Sequence, residues 1–257
     1  MDLRNGDCLE LMKSIPDKSV DLIICDLPYG ETNCKWDSCI DLQEFWNEFR
    51  RIRKSKKTAC IHFCSTKFGY TLIKSWEKGF KMDMVWKKRN KTGGLQSRYR
   101  PMRNHEMVYF FYEEAPKYNR DKYHKRIQEQ KIHDIKKEGE ITAGNTNKMA
   151  GTFHTCFEPN NPGSIVEEFI PADDEPVSMY ESTKIFIGKR NHQTEKPQDI
   201  LEFFIKYWSD EEETILDPTM GSGSTGVACK KLNRKFIGFE LDEKIFEKAK
   251  KRIADNK

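Results

Sequence analysis

One stretch, Thr214-Ile215-Leu216-Asp217-Pro218-Thr219-Met220-Gly221-Ser222-Gly223-Ser224-Thr225-Gly226, constrains what this chain can fold into more than any other. A short apolar strand, Thr214–Asp217, runs into a glycine turn, a helix starts at Ser224, and a second apolar strand, Phe236–Glu240, follows that helix. Strand, crossover helix and strand at this spacing fold as a right-handed βαβ unit, which demands a parallel sheet with helices on its faces. The glycines let backbone approach a ligand closely, and the helix start supplies unpaired N–H groups. Seventeen residues past Gly223, Glu240 closes the next strand, where a carboxylate can hold both hydroxyls of a ribose. A tight turn beside a surface glutamate would look similar, but the pair together points to a nucleoside-containing ligand. The phosphate-loop pattern GxxxxGK[ST] is absent, and Asp-Pro-Thr-Met is unlike the apolar entry of a dinucleotide GxGxxG turn. S-adenosylmethionine, which needs ribose contacts and no pyrophosphate cradle, is the better fit.

The rest of the chain extends the alternation. Strands are expected at Leu3–Asn5, Val20–Cys25, Thr58–Cys64, Phe80–Trp86 and Glu106–Tyr112, and helices at Cys8–Ile15, 41–54, Lys67–Glu77, Pro197–Trp208, Ser224–Leu232 and Glu243–Ala254. The expected fold class is α/β, with a doubly wound, mostly parallel sheet. Residues 87–103 read as a loop, and residues 115–185, which carry no sustained period, as an irregular insertion. Apolar residues are 37% and charged residues 33% of the chain, so the core is lean, yet 257 residues suffice to bury one. No run of 18 apolar residues occurs, and the start Met1–Lys13 lacks an apolar leader with a small-residue cleavage site, so a soluble, cytoplasmic protein away from membranes is expected. The eight cysteines, at 8, 25, 34, 39, 60, 64, 156 and 229, form no CxxC pair and show no zinc spacing. They read as reduced thiols, and no metal is expected.

A second constellation, Asp26-Leu27-Pro28-Tyr29-Gly30, directly follows the apolar run Val20–Cys25. A carboxylate, a rigid proline and an aromatic ring would then lie at the carboxyl end of a strand, where open α/β sheets bind ligands. Alone, the pentapeptide is equally a turn. Between Trp86 and Lys137 there are 15 Lys and Arg against 6 Asp and Glu, interleaved with seven tyrosines and phenylalanines from Tyr99 to Tyr123. That segment suits either a solvated basic surface or a polyanion whose bases stack on aromatic faces. Lys87, Lys88, Arg89, Arg98, Arg100 and Arg103 are its candidate nucleic-acid contacts.

Taken together, the motifs resemble those of the β-class DNA amino-methyltransferases, in which the catalytic Asp/Ser/Asn-Pro-Pro-Tyr motif precedes the glycine motif. Asn5-Gly6-Asp7-Cys8, Asp26–Tyr29, His105-Glu106, His192-Gln193-Thr194-Glu195-Lys196-Pro197, Asp217–Gly226 and Phe236–Glu240 stand in the permuted order of that class, over roughly residues 1–113 and 184–254. The resemblance implies a Rossmann-like fold. It implies a catalytic half at 1–113, a target-recognition insertion at 114–185 and a cofactor-binding half at 186–257. The implied catalytic residues are Asp26, Pro28 and Tyr29. The implied S-adenosylmethionine contacts are Asp7, Cys8, Asp26, Lys196, Asp217, Gly221, Gly223, Thr225 and Glu240. Double-stranded DNA is the implied partner, and a homodimer is left open. Two positions depart from the family pattern: Leu27 stands where a first proline is usual, and Thr219 where a phenylalanine is usual.

The implied reaction is direct transfer to the exocyclic amine of a flipped base. Asp26 and a backbone carbonyl near Leu27 or Pro28 would hydrogen-bond the amine, and Tyr29 would stack on the base. Aspartate rather than serine at position 26 leans toward adenine-N6 over cytosine-N4. Rival readings are an RNA or protein-glutamine methyltransferase and a catalytically silent nucleic-acid-binding subunit; intact Asp26, Gly221 and Gly223 argue against the last. Lys196 either faces the cofactor carboxylate or starts a helix. His105 and His192 either contact DNA or sit on the surface, and Trp36 with Asp37 either closes over the site or packs a loop.

Overall fold

The computed structural model of the chain describes residues 1–30, 39–123, 165–167 and 195–256. Strand β1 (Asp2–Asn5) leads into helix α1 (Cys8–Lys13), whose first N–H groups, those of Leu9 and Glu10, donate to the Asp7 carboxylate at 2.9 and 3.2 Å. Strand β2 (Leu22–Cys25), helix α2 (Leu42–Ile52), strand β3 (Ala59–Cys64) and helix α3 (Thr66–Ser75) follow, the two helices capped by Asp41 and Ser65. Next comes a long antiparallel hairpin, β4 (Phe80–Thr92) and β5 (Arg103–Phe111), with a 3-10 turn at Gly94–Gln96 between them. After β6 (Ile165–Glu167), the chain runs through α4 (Gln198–Trp208), β7 (Thr214–Asp217), α5 (Ser224–Lys231), β8 (Lys235–Glu240) and α6 (Glu243–Asp255).

The eight strands form one sheet in the order β1-β8-β7-β2-β3-β5-β4-β6. Pairing is parallel except on the two sides of β5, which alone runs against the others. All residues of β2 and β3 are buried, as strands covered on both faces must be. Phe110 and Phe111 show the two coverings, since neighbours on a strand point to opposite faces. Phe111 lies 4.9 Å from Trp46 of α2, while Phe110 lies 5.8 Å from Phe204 of α4, ring centre to ring centre. Phe45, Trp46, Phe49 and Ile52 recur at helical spacing along α2, and each is fully buried. Removing such a side chain from water contributes about 1.5–3 kcal/mol. The expected α/β, doubly wound, Rossmann-like fold is the one observed.

Two local expectations are corrected. Residues 87–92 and 103, read as loop, are strand, and β5 starts three residues before the expected Glu106, because the ladder between β4 and β5 continues through Lys87↔His105 to Thr92↔Arg103. Backbone pairing supplies that regularity, and charged side chains on a protruding hairpin leave no apolar alternation to read. Within the expected insertion, Ile165–Glu167 pairs with Val85–Lys87 and extends the sheet. Residues 1–119 and 162–257 make one compact unit; residues 120–161 make a second, described only at the short helical turn Arg120–Tyr123. Most of 115–185, with Trp36, Asp37, His192, Cys34 and Cys156, lies outside the described residues. Among the described residues, no helix is long and apolar enough to cross a membrane.

Candidate active site

From β7 the chain winds on to β8 on one side, and from β2 it winds on to β3 on the other, so the order reverses between β7 and β2. Crevices of open α/β sheets form at such a reversal, beyond the carboxyl ends of the strands. Both sequence constellations meet here: Asp26 follows β2, and the glycine turn follows β7. The Thr219 hydroxyl donates to the Asp26 carbonyl at 3.1 Å and ties the two loops together. A cavity opens at this edge, walled by Gly6–Cys8, Asp26, Pro28, Lys196, Asp217–Ser222 and Glu240.

The glycine turn is held from three directions. Gly221, at φ 51°, donates its N–H to Glu240 Oε2 at 3.0 Å, while Glu240 Oε1 accepts from Asp242 N at 2.9 Å. Asp217 accepts from the Thr225 hydroxyl at 2.6 Å and from Thr219 N at 3.1 Å. Burial still pushes its carboxyl up to about 7 against those two hydrogen bonds, which favour the anion. Arg252 of α6 donates to Ser222 O at 3.2 Å and to the Ser222 and Ser224 hydroxyls at 3.1 Å, and pairs with Glu195. Of the expected cofactor residues, Asp7, Cys8, Asp26, Lys196, Asp217, Gly221, Thr225 and Glu240 all wall the cavity. Gly223 is not among the cavity-lining residues. A Cβ there would stand 3.0 Å from Ile253 and 3.1 Å from Ala249, so this glycine admits α6.

Around Asp26 the structure assembles a chain of charges. Asp26 Oδ1 accepts from the Tyr29 hydroxyl, whose oxygen also lies 3.0 Å from Phe63 O, and Oδ2 accepts from Lys196 Nζ at 2.6 Å. Lys196 Nζ lies 3.4 Å from Glu106 Oε2, and Lys88 pairs with Glu106 Oε1. Burial alone would push the Lys196 ammonium down; the Asp26 and Glu106 carboxylates outweigh it and hold the group above the ordinary lysine range. Burial likewise would raise Glu106, but Lys196 and Lys88 keep it below the usual glutamate range. Tyr29 is pushed well above 10 by burial and by the Asp26 carboxylate, and its ring stacks on Phe68 at 5.1 Å. In this state, then, the ring expected to meet a base packs inward.

Other expected residues fall differently. Lys87, Arg98, Arg100 and Arg103 are exposed on the hairpin, whose tip also carries the exposed Leu95 and Tyr99. Lys88 is turned inward, its charge neutralised by Glu106 and its Nζ 5.2 Å from the Trp86 ring centre, while the Arg89 side chain lies outside the described atoms. His105 is half-buried. Sequence reasoning missed Arg252 and Glu195 as supports of the turn, and the role of Glu106; Glu106 and Glu195 stand in motifs that carry the resemblance, but local spacing gives them no partner, and nothing local marks Arg252. It also missed a buried trio behind Asp26, Cys25, Cys60 and His62, whose ligand-type atoms lie within 4.8 Å of one another. His62 Nδ1 contacts Cys25 Sγ and Nε2 contacts Cys60 Sγ, each at 3.1 Å, which satisfies an imidazole with no access to water. The Cys25 and His62 contacts hold the Cys60 thiol below its usual range despite burial.

Comparison with known proteins bears on the family and the fold. The sequence pattern of a DNA methylase family, the N6/N4 methylases, matches residues 20–251. The type II methyltransferase M1.MboII of Moraxella bovis is 25% identical over 253 residues, covering 95% of this chain and 92% of that one. Among solved structures, the M1.HpyAVI–SAM complex superposes with a TM-score of 0.59 at 22% identity, over 98% of each chain. The cytosine-N4-specific PvuII DNA methyltransferase gives a TM-score of 0.62 at 17% identity, over 99% of this chain and 86% of that one. These structural likenesses concern the fold.

Proposed function

This chain belongs to the N6/N4 DNA methylase family, and from that premise we propose that it transfers a methyl group from S-adenosylmethionine to the N6 amine of adenine in double-stranded DNA. The observation that carries the reading is the Thr219–Asp26 bridge, 3.1 Å long, which sets the glycine turn and the catalytic loop on one cavity. The cavity fits the cofactor. At Gly221 a Cβ would meet nothing closer than Thr219 O at 4.0 Å, so bare backbone faces open space, and Asp7 and Glu240 offer carboxylates for hydroxyl groups. Glu240 would hold the ribose, with Asp7, Cys8, Asp217 and Thr225 around it. Bound there, S-adenosylmethionine supplies an electrophilic methyl on a sulfonium sulfur.

Asp26 then does the work on the substrate side. The adenine amine is a poor nucleophile because its lone pair is delocalised into the ring, and the base must leave the duplex to reach the cavity. Asp26 would accept hydrogen bonds from that amine, favouring a pyramidal nitrogen and stabilising the positive charge that grows as the N–C bond forms and the C–S bond breaks. Pro28 fixes the backbone of the loop, and Tyr29 contacts the base once its ring turns from Phe68. Residues 1–113 would form the catalytic half, 186–257 the cofactor half and the residues between them the part that selects the target. The exposed hairpin arginines would bind phosphates, and the protein would act inside the cell, where DNA is.

The test offers labelled S-adenosylmethionine with duplex DNA, RNA or protein extract, followed by mass spectrometry of the digested product. N6-methyladenine in DNA is expected. Cytosine-N4 methylation alone would refute the base, and transfer only to RNA or protein would refute the substrate. Replacing Asp26 by alanine should lower kcat by about 100- to 1000-fold, the scale for losing one preorganised group, far more than it weakens cofactor binding.

A further inference from the structure

Both oxygens of the proposed catalytic carboxylate are occupied before any base arrives: Oδ1 by the Tyr29 hydroxyl and Oδ2 by Lys196 Nζ at 2.6 Å. The lysine is the harder problem. An amine nitrogen gains positive charge as it accepts a methyl group, and an ammonium on the same carboxylate would repel that charge. The Phe63 and Trp86 rings flank its Nζ at 5.2 and 6.0 Å from their centres and offer it no carboxylate in place of Asp26. Among the described residues, a second carboxylate is within reach. Glu106 Oε2 stands 3.4 Å from Nζ, is buried and accepts no hydrogen bond, whereas Oε1 is held by Lys88. Less than an ångström of movement would turn that contact into a full charge-assisted hydrogen bond of about 2.8 Å.

We propose that Glu106 is a positioning residue for methyl transfer, drawing the Lys196 ammonium off Asp26 as the target amine enters and so freeing the catalytic carboxylate. The receptor is fixed and the cargo moves: Glu106 sits in the β4–β5 ladder opposite Trp86, whereas Lys196 precedes α4 in irregular chain. The inference rests on the reading of Asp26 as the group that accepts the amine.

Single-turnover transfer to duplex DNA, cofactor affinity, DNA affinity and thermal unfolding would be measured for the wild type and for E106Q, E106D and D26A. E106Q keeps the shape and loses the charge. Its transfer step should slow by about 10- to 100-fold, the scale of an ångström-level misplacement, with cofactor and DNA affinities within twofold of wild type. E106D restores the charge and should recover at least half of the logarithmic loss. E106Q transfer within twofold of wild type would overturn the proposal, as would equal losses in E106Q and E106D or a loss matched by weaker cofactor binding. If E106Q does not fold, E106A takes its place as the variant without the charge: a step slowed by about 10- to 100-fold at unchanged affinities supports the proposal, and wild-type transfer overturns it. Near-normal transfer by D26A would instead sink the underlying reading of Asp26.

Discussion

Thr219 and Leu27, the two departures from the family pattern, have separate physical roles. Leu27 is buried in the same core cluster as Phe45 and Phe68, so the loop is anchored by apolar packing where a proline would anchor it by stiffness. Thr219 contributes the hydroxyl that reaches Asp26 O. Glu240 supports the turn and is proposed to hold the ribose. Glu240→Ala should weaken S-adenosylmethionine binding by about 1.5–3 kcal/mol, the range for hydrogen bonds to a charged group, as read by calorimetry; unchanged affinity would move the ribose elsewhere. Asp217 bears on stability. Its carboxyl rises from 3.8 in the open chain to about 7 in the fold, mainly through burial. The folded chain therefore holds a proton that the unfolded chain has lost, and this contribution is present in full below the lower value and disappears as pH climbs to the upper one. Urea unfolding of the ligand-free protein at pH 5 and pH 8 should show a fall in stability that Asp217→Asn flattens. The same fall in both proteins would contradict it.

Helices and strands show which parts of the fold announce themselves. β2 and β3 were legible because strands covered on both faces leave short apolar runs, and α2 because Phe45, Trp46, Phe49 and Ile52 recur on one face. The outer half of the hairpin was not, since a ladder of backbone hydrogen bonds needs no particular side chain. The site divides likewise. Asp26, Gly221 and Glu240 were readable from local motifs at strand ends, while the Lys196–Asp26 pair joins residues 170 apart and becomes visible only when the sheet closes. Arg252 lies in a run of lysines on α6 and looks like any other solvated cation until the helix docks. The approach of α5 to α6 and β8 makes an element-level prediction. A Cβ on Gly226 would stand 2.5 Å from Ile253 Cδ1 and 2.8 Å from the Phe236 ring. Gly226→Ala should therefore cost about 1–3 kcal/mol of stability through overpacking. A loss near zero in chemical denaturation would mean that α6 moves aside freely.

At the scale of the molecule, the sheet arranges its chemistry along one edge. Strands β1, β8, β7, β2 and β3 point their carboxyl ends the same way, and β5, running against β3 from Met107↔Cys64, begins at that edge. The β4–β5 hairpin thus projects past the cavity with Arg98 and Arg100 exposed on the turn and Lys87 exposed at its base. A duplex delivering a flipped base to Asp26 would run along this edge, where exposed cations can displace its counterions. Each phosphate neutralised adds about 0.9 to the slope of log affinity against log salt. Replacing Arg98 and Arg100 together by alanine should lower that slope by about two if each holds one phosphate. Cofactor affinity should stay unchanged, because neither residue walls the cavity. Binding measured across a range of salt concentrations on the same duplex separates the outcomes. A parallel shift with the slope intact would mean that the hairpin acts on bases or shape, and no change at all would place the DNA on another face.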